Sequence, residues 1–156
     1  MAKDTALAIA NDLTAGRLND AEVLNRLKAE LEKKPQLLDV GVAYEPFAYD
    51  PNVRLYAPYY ARLKNELQSL DVTYYYSRPI YVWFRISLCK GTLWGEPDFW
   101  QDRSLFSQPA VGYFTLFYGQ GDRKQRPRGI VYADYSVGCL FVVNFLRNND
   151  LSKNPP

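Results

Sequence analysis

The sequence predicts an α+β fold: a long N-terminal helical segment, then a mostly antiparallel sheet of five to six strands with short interior helices. Three observations carry that expectation. Residues 4–33 place apolar side chains three and four positions apart, the spacing of an amphipathic helix. From residue 36 the pattern changes to short apolar, β-branched and aromatic runs separated by proline, glycine, asparagine and aspartate, as strands and turns require. Within that region one stretch, carrying Val82, Trp83 and Ile86, returns to helical spacing.

In the helical segment Ala6, Leu7, Ala10 and Leu13 form one stripe, and Val23, Leu24, Leu27 and Leu31 form a second. Gly16 interrupts them, and Asn19 followed by Asp20, Ala21 and Glu22 has the form of an N-cap with acidic residues in the first turn. The segment is therefore either one kinked helix or two helices joined near Gly16–Asn19. Arg26, Lys28, Glu30, Glu32 and Lys33 solvate its other face. The leucine stripe packs on the core, or gives part of itself to a helix-to-helix homodimer contact.

Pro35 ends the helix, and Leu37–Tyr44 reads as a buried strand. A turn at Asp50-Pro51-Asn52 leads to a second strand, Leu55–Arg62, and Lys64-Asn65-Glu66 forms a hairpin tip before Leu67–Val72. Pro79 opens the short interior helix, Gly91 restarts extended structure over Leu93–Phe99, and Gln101–Pro109 is a loop. Val111–Tyr118 and Gly129–Ser136 are strands of strong β composition. Cys139–Leu146 is a terminal helix or strand extension, and Asn148–Pro156 a frayed polar tail. No internal repeat is visible, so residues 1–156 read as one module with its sheet core over 36–147 and a tail over 148–156.

Composition bounds the function classes. With 156 residues, 47% apolar and 23% charged, the chain makes one globular domain whose core needs no staples. A formal net charge of +2 is too small to argue for nucleic acid. The one basic cluster, Arg123, Lys124, Arg126 and Arg128, sits among Gly121, Gln125 and Pro127, as in a solvated hairpin loop. The aromatic stretches are nearly uncharged, whereas single-stranded nucleic acid is bound by rings interleaved with cations. No run of about eighteen apolar residues is present, and the N-terminus is not a signal peptide. As given the chain reads as soluble, and a start as plain as Met1-Ala2-Lys3 also suits a piece of a longer membrane protein. Cys89 and Cys139 are small buried residues or a pair formed in an oxidising compartment.

Histidine is absent from the chain, which removes the usual general base and the commonest metal ligand. The acidic residues do not cluster as a calcium loop does, so no metal, cofactor or catalytic residue is expected. Glu96, Asp98 and Asp102 are the densest carboxylates and read as turn residues; a hydrolase would have to use Glu96 and Asp98. What remains is a concentration of rings. Val42–Arg62 holds six aromatic residues and three prolines in twenty-one positions. Tyr74, Tyr75, Tyr76, Trp83, Phe84, Trp94, Phe99 and Trp100 follow, with Arg78, Arg85, Glu96 and Asp98 among them. Stiff rings with a few fixed polar groups are how small-molecule pockets are walled.

Several pieces occur in a telling order: Gly41–Pro46 (GVAYEP), Tyr49–Asn52 (YDPN), Tyr56–Arg62 (YAPYYAR), a tyrosine-rich entry to Trp83-Phe84, Leu93–Phe99 (LWGEPDF) and Arg128–Val137 (RGIVYADYSV). Over residues 36 to 147 this series resembles the Cache family of extracytoplasmic sensor domains, in particular the distal module of double-Cache bacterial receptors. The resemblance implies a PAS-like antiparallel sheet with a ligand pocket on one face. It also implies an N-terminal helix leading toward a membrane span, and a place outside the cytoplasm in an inner-membrane signalling receptor. The ligand-side positions it implies are Trp83, Phe84, Asp98, Trp100 and Asp134, and the ring concentration adds Tyr76 and Trp94. The amino-acid-binding form carries an arginine two positions before the tryptophan-aromatic pair. Here that position is Tyr81, which lacks the bidentate clamp for a carboxylate, so the implied ligand is a small molecule other than an α-amino acid. Gln101–Pro109 stands where the family has a glycine-rich loop. Asp134 either touches the ligand or caps a helix beginning near Val137. The alternative to a sensor is a ligand-free structural or dimerising PAS-like module, with a hydrolase third.

Overall fold

The computed structural model of the protein describes residues 1–64, 66–71, 76, 82–95, 110–119 and 126–137. Helices α1 (Ala2–Thr14) and α2 (Val23–Lys33) precede strands β1 (Leu37–Tyr44), β2 (Pro58–Leu63) and β3 (Glu66–Asp71). Helix α3 (Val82–Lys90) and strands β4 (Leu93–Trp94), β5 (Ala110–Phe117) and β6 (Gly129–Ser136) follow. The strands make one six-stranded sheet in the order β3-β2-β1-β6-β5-β4, antiparallel at every pairing. This is the α+β layout expected from the sequence. It places β1 and β6, the first and last strands among the described residues, side by side at the centre.

The N-terminal segment is two helices. Gly16 takes φ 69°, the left-handed conformation that glycine adopts without strain. Asn19 then caps a single turn at Asp20–Glu22, its side chain accepting from the Glu22 N–H at 3.0 Å. Most of both apolar stripes is buried, with Leu7 and Leu24 half-exposed. Ala6, Ile9, Ala10 and Leu13 of α1, with Val23, Leu27 and Leu31 of α2, pack on Val40, Val42, Tyr44, Tyr113, Phe117, Val131 and Ala133. The leucine stripe is thus occupied within the chain, and α1 turns Lys3, Asp4, Ala8 and Asn11 outward. Arg26 ties the two helices, its guanidinium 3.0 Å from Asp12 and 2.8 Å from Glu30.

Element boundaries differ in four strands, β3 running Glu66–Asp71 and not Leu67–Val72, and β5 Ala110–Phe117 and not Val111–Tyr118. Strand β2 begins at Pro58 and not at Leu55, because proline lacks an N–H and so serves best as the first residue of a strand. Strand β4 ends at Trp94, with one further bond from the Gly95 N–H to the Gly112 carbonyl at 2.7 Å. The remainder of Leu93–Phe99, the loop Gln101–Pro109, Cys139–Leu146 and the tail lie outside the described residues.

Arg128 corrects the reading of the basic cluster as a solvated loop. Its guanidinium donates to Asp20 Oδ2 at 2.8 Å and to the Ala48 carbonyl at 2.9 Å. The Tyr44 hydroxyl donates to the other oxygen of Asp20 at 2.8 Å. Asp20 therefore fastens the turn between α1 and α2 to the shared end of β1 and β6. Arg126, in the same cluster, pairs with the buried carboxylate of Glu45.

Candidate functional site

Strand alternation sends one set of side chains toward α1 and α2 and the other set to the opposite face. On that second face the register lays out three rows. Asp39, Asp134 and Gly112 stand side by side on β1, β6 and β5. Gly41, Tyr132 and Phe114 form the next row, and Ala43, Ile130 and Leu116 the third. Helix α3 lies over the last two rows. The Trp83 ring is 5.5 Å from that of Tyr132 and 6.0 Å from that of Phe114. Phe84 packs edge-on to Tyr76 at 4.9 Å and closes a small core with Ala43, Ala57 and Ile130.

Glycines make the room these side chains use. A Cβ on Gly41 would strike the ring and hydroxyl of Tyr132, and a Cβ on Gly112 would strike Oδ1 of Asp134. Tyr132 therefore lies across β1, and the Asp134 carboxylate lies across β5. Beside the aromatic row the register sets two acids, Asp39 and Asp134, next to the glycine backbone of Gly41 and Gly112.

Those acids are the most unusual groups in the chain. Asp39 and Asp134 are direct cross-strand neighbours, only 1% and 2% exposed. On each, Oδ1 has no hydrogen-bond partner among the described residues. Burial first, and the neighbouring Asp134 carboxyl second, hold Asp39 well above the usual carboxylate range. Burial pushes Asp134 up to about 7, against the lowering effect of its hydrogen bond with Asp39. Two carboxylates side by side in a low-dielectric interior lose hydration and repel each other. The pair accordingly retains a proton near neutral pH.

The structure brings Trp83, Phe84, Tyr76 and Asp134 to one face and carries Trp94 to the other. Trp94 pairs opposite Tyr113, so it points to the helix-covered face, where its ring meets Tyr113 at 4.8 Å and Tyr135 at 6.1 Å. It is 48% exposed. A shift of one residue along a strand reverses the face, and here Leu93, opposite Phe114, takes the inner side. Tyr76 sits within the α3 cluster, but its hydroxyl serves the backbone: it donates to the Tyr44 carbonyl at 2.5 Å and accepts from the Tyr56 N–H at 3.1 Å. Burial pushes its phenol up to about 12. Removing that hydroxyl strands two buried backbone groups, so Tyr76→Phe should cost about 2 kcal/mol and lower the melting temperature by roughly 4–8 °C in a denaturation scan.

Asp98 and Trp100, with Glu96, lie outside the described residues. The aromatic segment Val42–Arg62 divides between the faces. Tyr44, Tyr49 and Tyr56 stack together at 4.1–5.7 Å against the helix-side core. Tyr59 is on the other face, its Cβ beside Gly41. Sequence reasoning missed Asp39. The signal was present: one charged residue in the middle of Leu37–Tyr44, a strand buried at every position.

No family model matches the chain, and no curated protein matches it in sequence. Solved structures do match in fold. The extracellular domain of a protein named as the histidine kinase soHK1S-Z6 superposes with a TM-score of 0.71 at 17% identity, over 86% of this chain and 52% of that one. The extracellular domain of one named as the histidine kinase mmHK1S-Z3 gives 0.63 at 21% identity, over 92% of this chain and 54% of that one. A methyl-accepting chemotaxis protein X gives 0.55 at 21% identity, over 86% and 61%. The chain has the fold of these extracellular and receptor domains and spans little more than half the length of each. Their kind agrees with the Cache-type resemblance of the sequence.

Proposed function

We propose that this chain is a ligand-binding sensor module of a transmembrane signalling receptor, working outside the cytoplasm and recognising a small molecule without breaking a bond. One observation carries the reading: two buried carboxylate oxygens without partners among the described residues, set beside an aromatic wall of Trp83, Tyr132 and Phe114. Interiors satisfy their polar groups unless an absent partner completes them. The likeness in fold to extracellular domains of proteins named as histidine kinases, and to a chemotaxis protein, supports a sensing role over a catalytic one. Among the described residues no helix is long and apolar enough to cross a membrane.

The route from ligand to output follows the same two strands. Asp39 and Asp134 sit on β1 and β6, and the far ends of those strands hold Tyr44 and Arg128 on Asp20. A ligand that draws the acids together strains or relaxes that tie to the helical layer. It can transmit only its differential affinity for two states, typically about 1–3 kcal/mol.

A thermal-shift screen of amino acids, organic acids, amines and sugars tests the reading. A ligand at a hundred times its dissociation constant adds about 2.7 kcal/mol, which should raise the melting temperature by roughly 5–10 °C. A flat response across every class would sink the proposal.

A further inference from the structure

We propose that Asp39 and Asp134 are a proton-operated clasp: one proton shared between them holds β1 to β6 at the end where β1 follows α2, and its release to solvent parts that end of the central ladder. The protein thereby responds to pH as an input of its own, which needs no ligand and goes beyond the sensor reading above.

The geometry singles out this end of the ladder. Asp39 pairs directly with Asp134, both are buried, and each keeps one oxygen without a hydrogen-bond partner among the described residues. A carboxyl that keeps its proton can donate to an ionised neighbour, whereas two ionised ones side by side only repel. One proton therefore turns the pair from a wedge into a bond, and it belongs to the pair and not to either residue. The register of β1 against β6 slips between Leu37 and Asp39, so the ladder is already irregular beside the acids, as at a β-bulge. At the opposite end the same two strands are tied. The Tyr44 hydroxyl and the Arg128 guanidinium share Asp20, and the Glu45 N–H donates to the Arg128 carbonyl at 2.7 Å. Repulsion between the acids accordingly opens the ladder at its irregular end, with the tied end as hinge. The opened end is joined to the helical layer: the Leu37 N–H donates to the Lys34 carbonyl at 3.0 Å, and Arg62 on β2 donates to the Leu31 carbonyl at 2.6 Å.

Among the described residues no lysine or arginine answers the pair. On β2, Ala61 stands opposite Asp39, with Tyr59 in the next row beside Gly41. On β5, Gly112 stands opposite Asp134, with Phe114 beside Tyr132 in the next row. Leu38, Ala61 and Ala110 pack in one apolar cluster. Helix α3 brings the Trp83 ring over Tyr132, while its Arg85 and Lys90 are exposed. The titratable neighbours are thus phenols, uncharged in the neutral range, and the proton exchanged is the acids' own. Burial, joined at Asp39 by the neighbouring carboxyl, holds both acids above the ordinary carboxylate range, Asp134 at about 7. Once parted and hydrated they return to about 4. The open end therefore binds fewer protons than the closed one, so rising pH favours opening until the closed pair is itself fully ionised.

The test uses the ligand-free 156-residue chain. Amide hydrogen exchange between pH 5 and pH 8, corrected for the intrinsic rate, compares protection at the acid end of the ladder (residues 37–40 and 133–136) with protection at the tied end (residues 42–45 and 128–131). The ratio of the first to the second should fall at least about tenfold toward pH 8. Carboxyl-carbon NMR of the same sample should show the pair titrating above pH 6. Asp39→Asn should shrink the fall in the ratio, and Asp39→Asn with Asp134→Asn should abolish it while the tied end keeps the parent's protection. A ratio that stays constant with pH in the parent overturns the clasp, whether or not the carboxyls titrate. So does titration of both acids below pH 5, or an undiminished fall in the double variant. The parent's own exchange and titration decide the matter if a variant fails to fold. No ligand enters, so a flat response in the screen above leaves the clasp standing, and failure of the clasp leaves that screen to decide the sensor reading.

Discussion

Asp39→Asn should make the empty protein more stable at pH 8 while leaving it nearly unchanged at pH 3.5. Substituting a buried polar residue usually destabilises; here the direction reverses. The folded-state pKa of Asp134 is raised from 3.8 to about 7, and that of Asp39 is also held well above its ordinary value, by burial first and by Asp134 second. A carboxyl with a raised folded pKa carries no penalty below its unfolded value. The penalty accumulates as pH climbs from about 4 toward the folded pKa. Asparagine at 39 abolishes one ionisation and offers an amide donor to the remaining acid. A gain of about 2–4 kcal/mol at pH 8 corresponds to roughly 5–15 °C in melting temperature. Comparing the two proteins at each pH cancels Asp12 and Glu30. Burial pushes both up, but hydrogen bonds from Arg17, Arg26 and Lys34 outweigh it and hold them below their ordinary values. Equal or lower stability of the variant at pH 8 would show that the acids are compensated in the empty state, and the orphan-carboxylate argument would collapse with that result.

Gly129→Ala should be the most damaging small substitution in the sheet. A Cβ there would run into the Ala43 carbonyl oxygen and come within 2.7 Å of the Phe117 ring and 2.9 Å of Tyr44 Cα. Two of those three atoms are backbone and cannot rotate away, so β1 and β6 must separate at their shared end. Overpacking costs about 1–3 kcal/mol where side chains can yield; with rigid neighbours a loss of about 3 kcal/mol or more is expected, or roughly 6–12 °C. The neighbouring bond from Glu45 N–H to the Arg128 carbonyl, 2.7 Å long, goes with it. Gly119→Ala serves as the comparison, since its nearest new contact is Arg128 Cδ at 3.9 Å, and its effect should stay within about 0.5 kcal/mol. Matching losses for the two variants would refute the close-approach account.

Much of this architecture was legible in the residues. Leu37–Tyr44 and Gly129–Ser136 occupy the expected positions residue for residue, because long apolar runs bounded by turn residues admit few alternatives. Asn19 caps where its neighbours said it would. What spacing alone did not disclose is which face a side chain takes once register is set. Trp94 and Trp83 look equivalent as rings near one another in sequence, yet pairing with Tyr113 carries the first away from the second. Tyr44 and Tyr56 read as pocket wall and are helix-side core. Asp39 went unnoticed for the converse reason: its significance lies in a partner about ninety-five positions away, and no local pattern records that.

The adjacency of β1 and β6 also bears on how the chain is made. Val40 meets Ala133 and Val42 meets Val131, so the central hydrogen-bond ladder cannot close until residues some ninety positions after β1 have been made. Until then β1 offers an apolar, half-paired edge to whatever lies nearby, the condition that invites self-association. Ladders closed across such separations form in milliseconds to seconds, orders of magnitude slower than local ones. Chaperone demand should therefore track the time between the synthesis of β1 and that of β6, while that single edge is exposed.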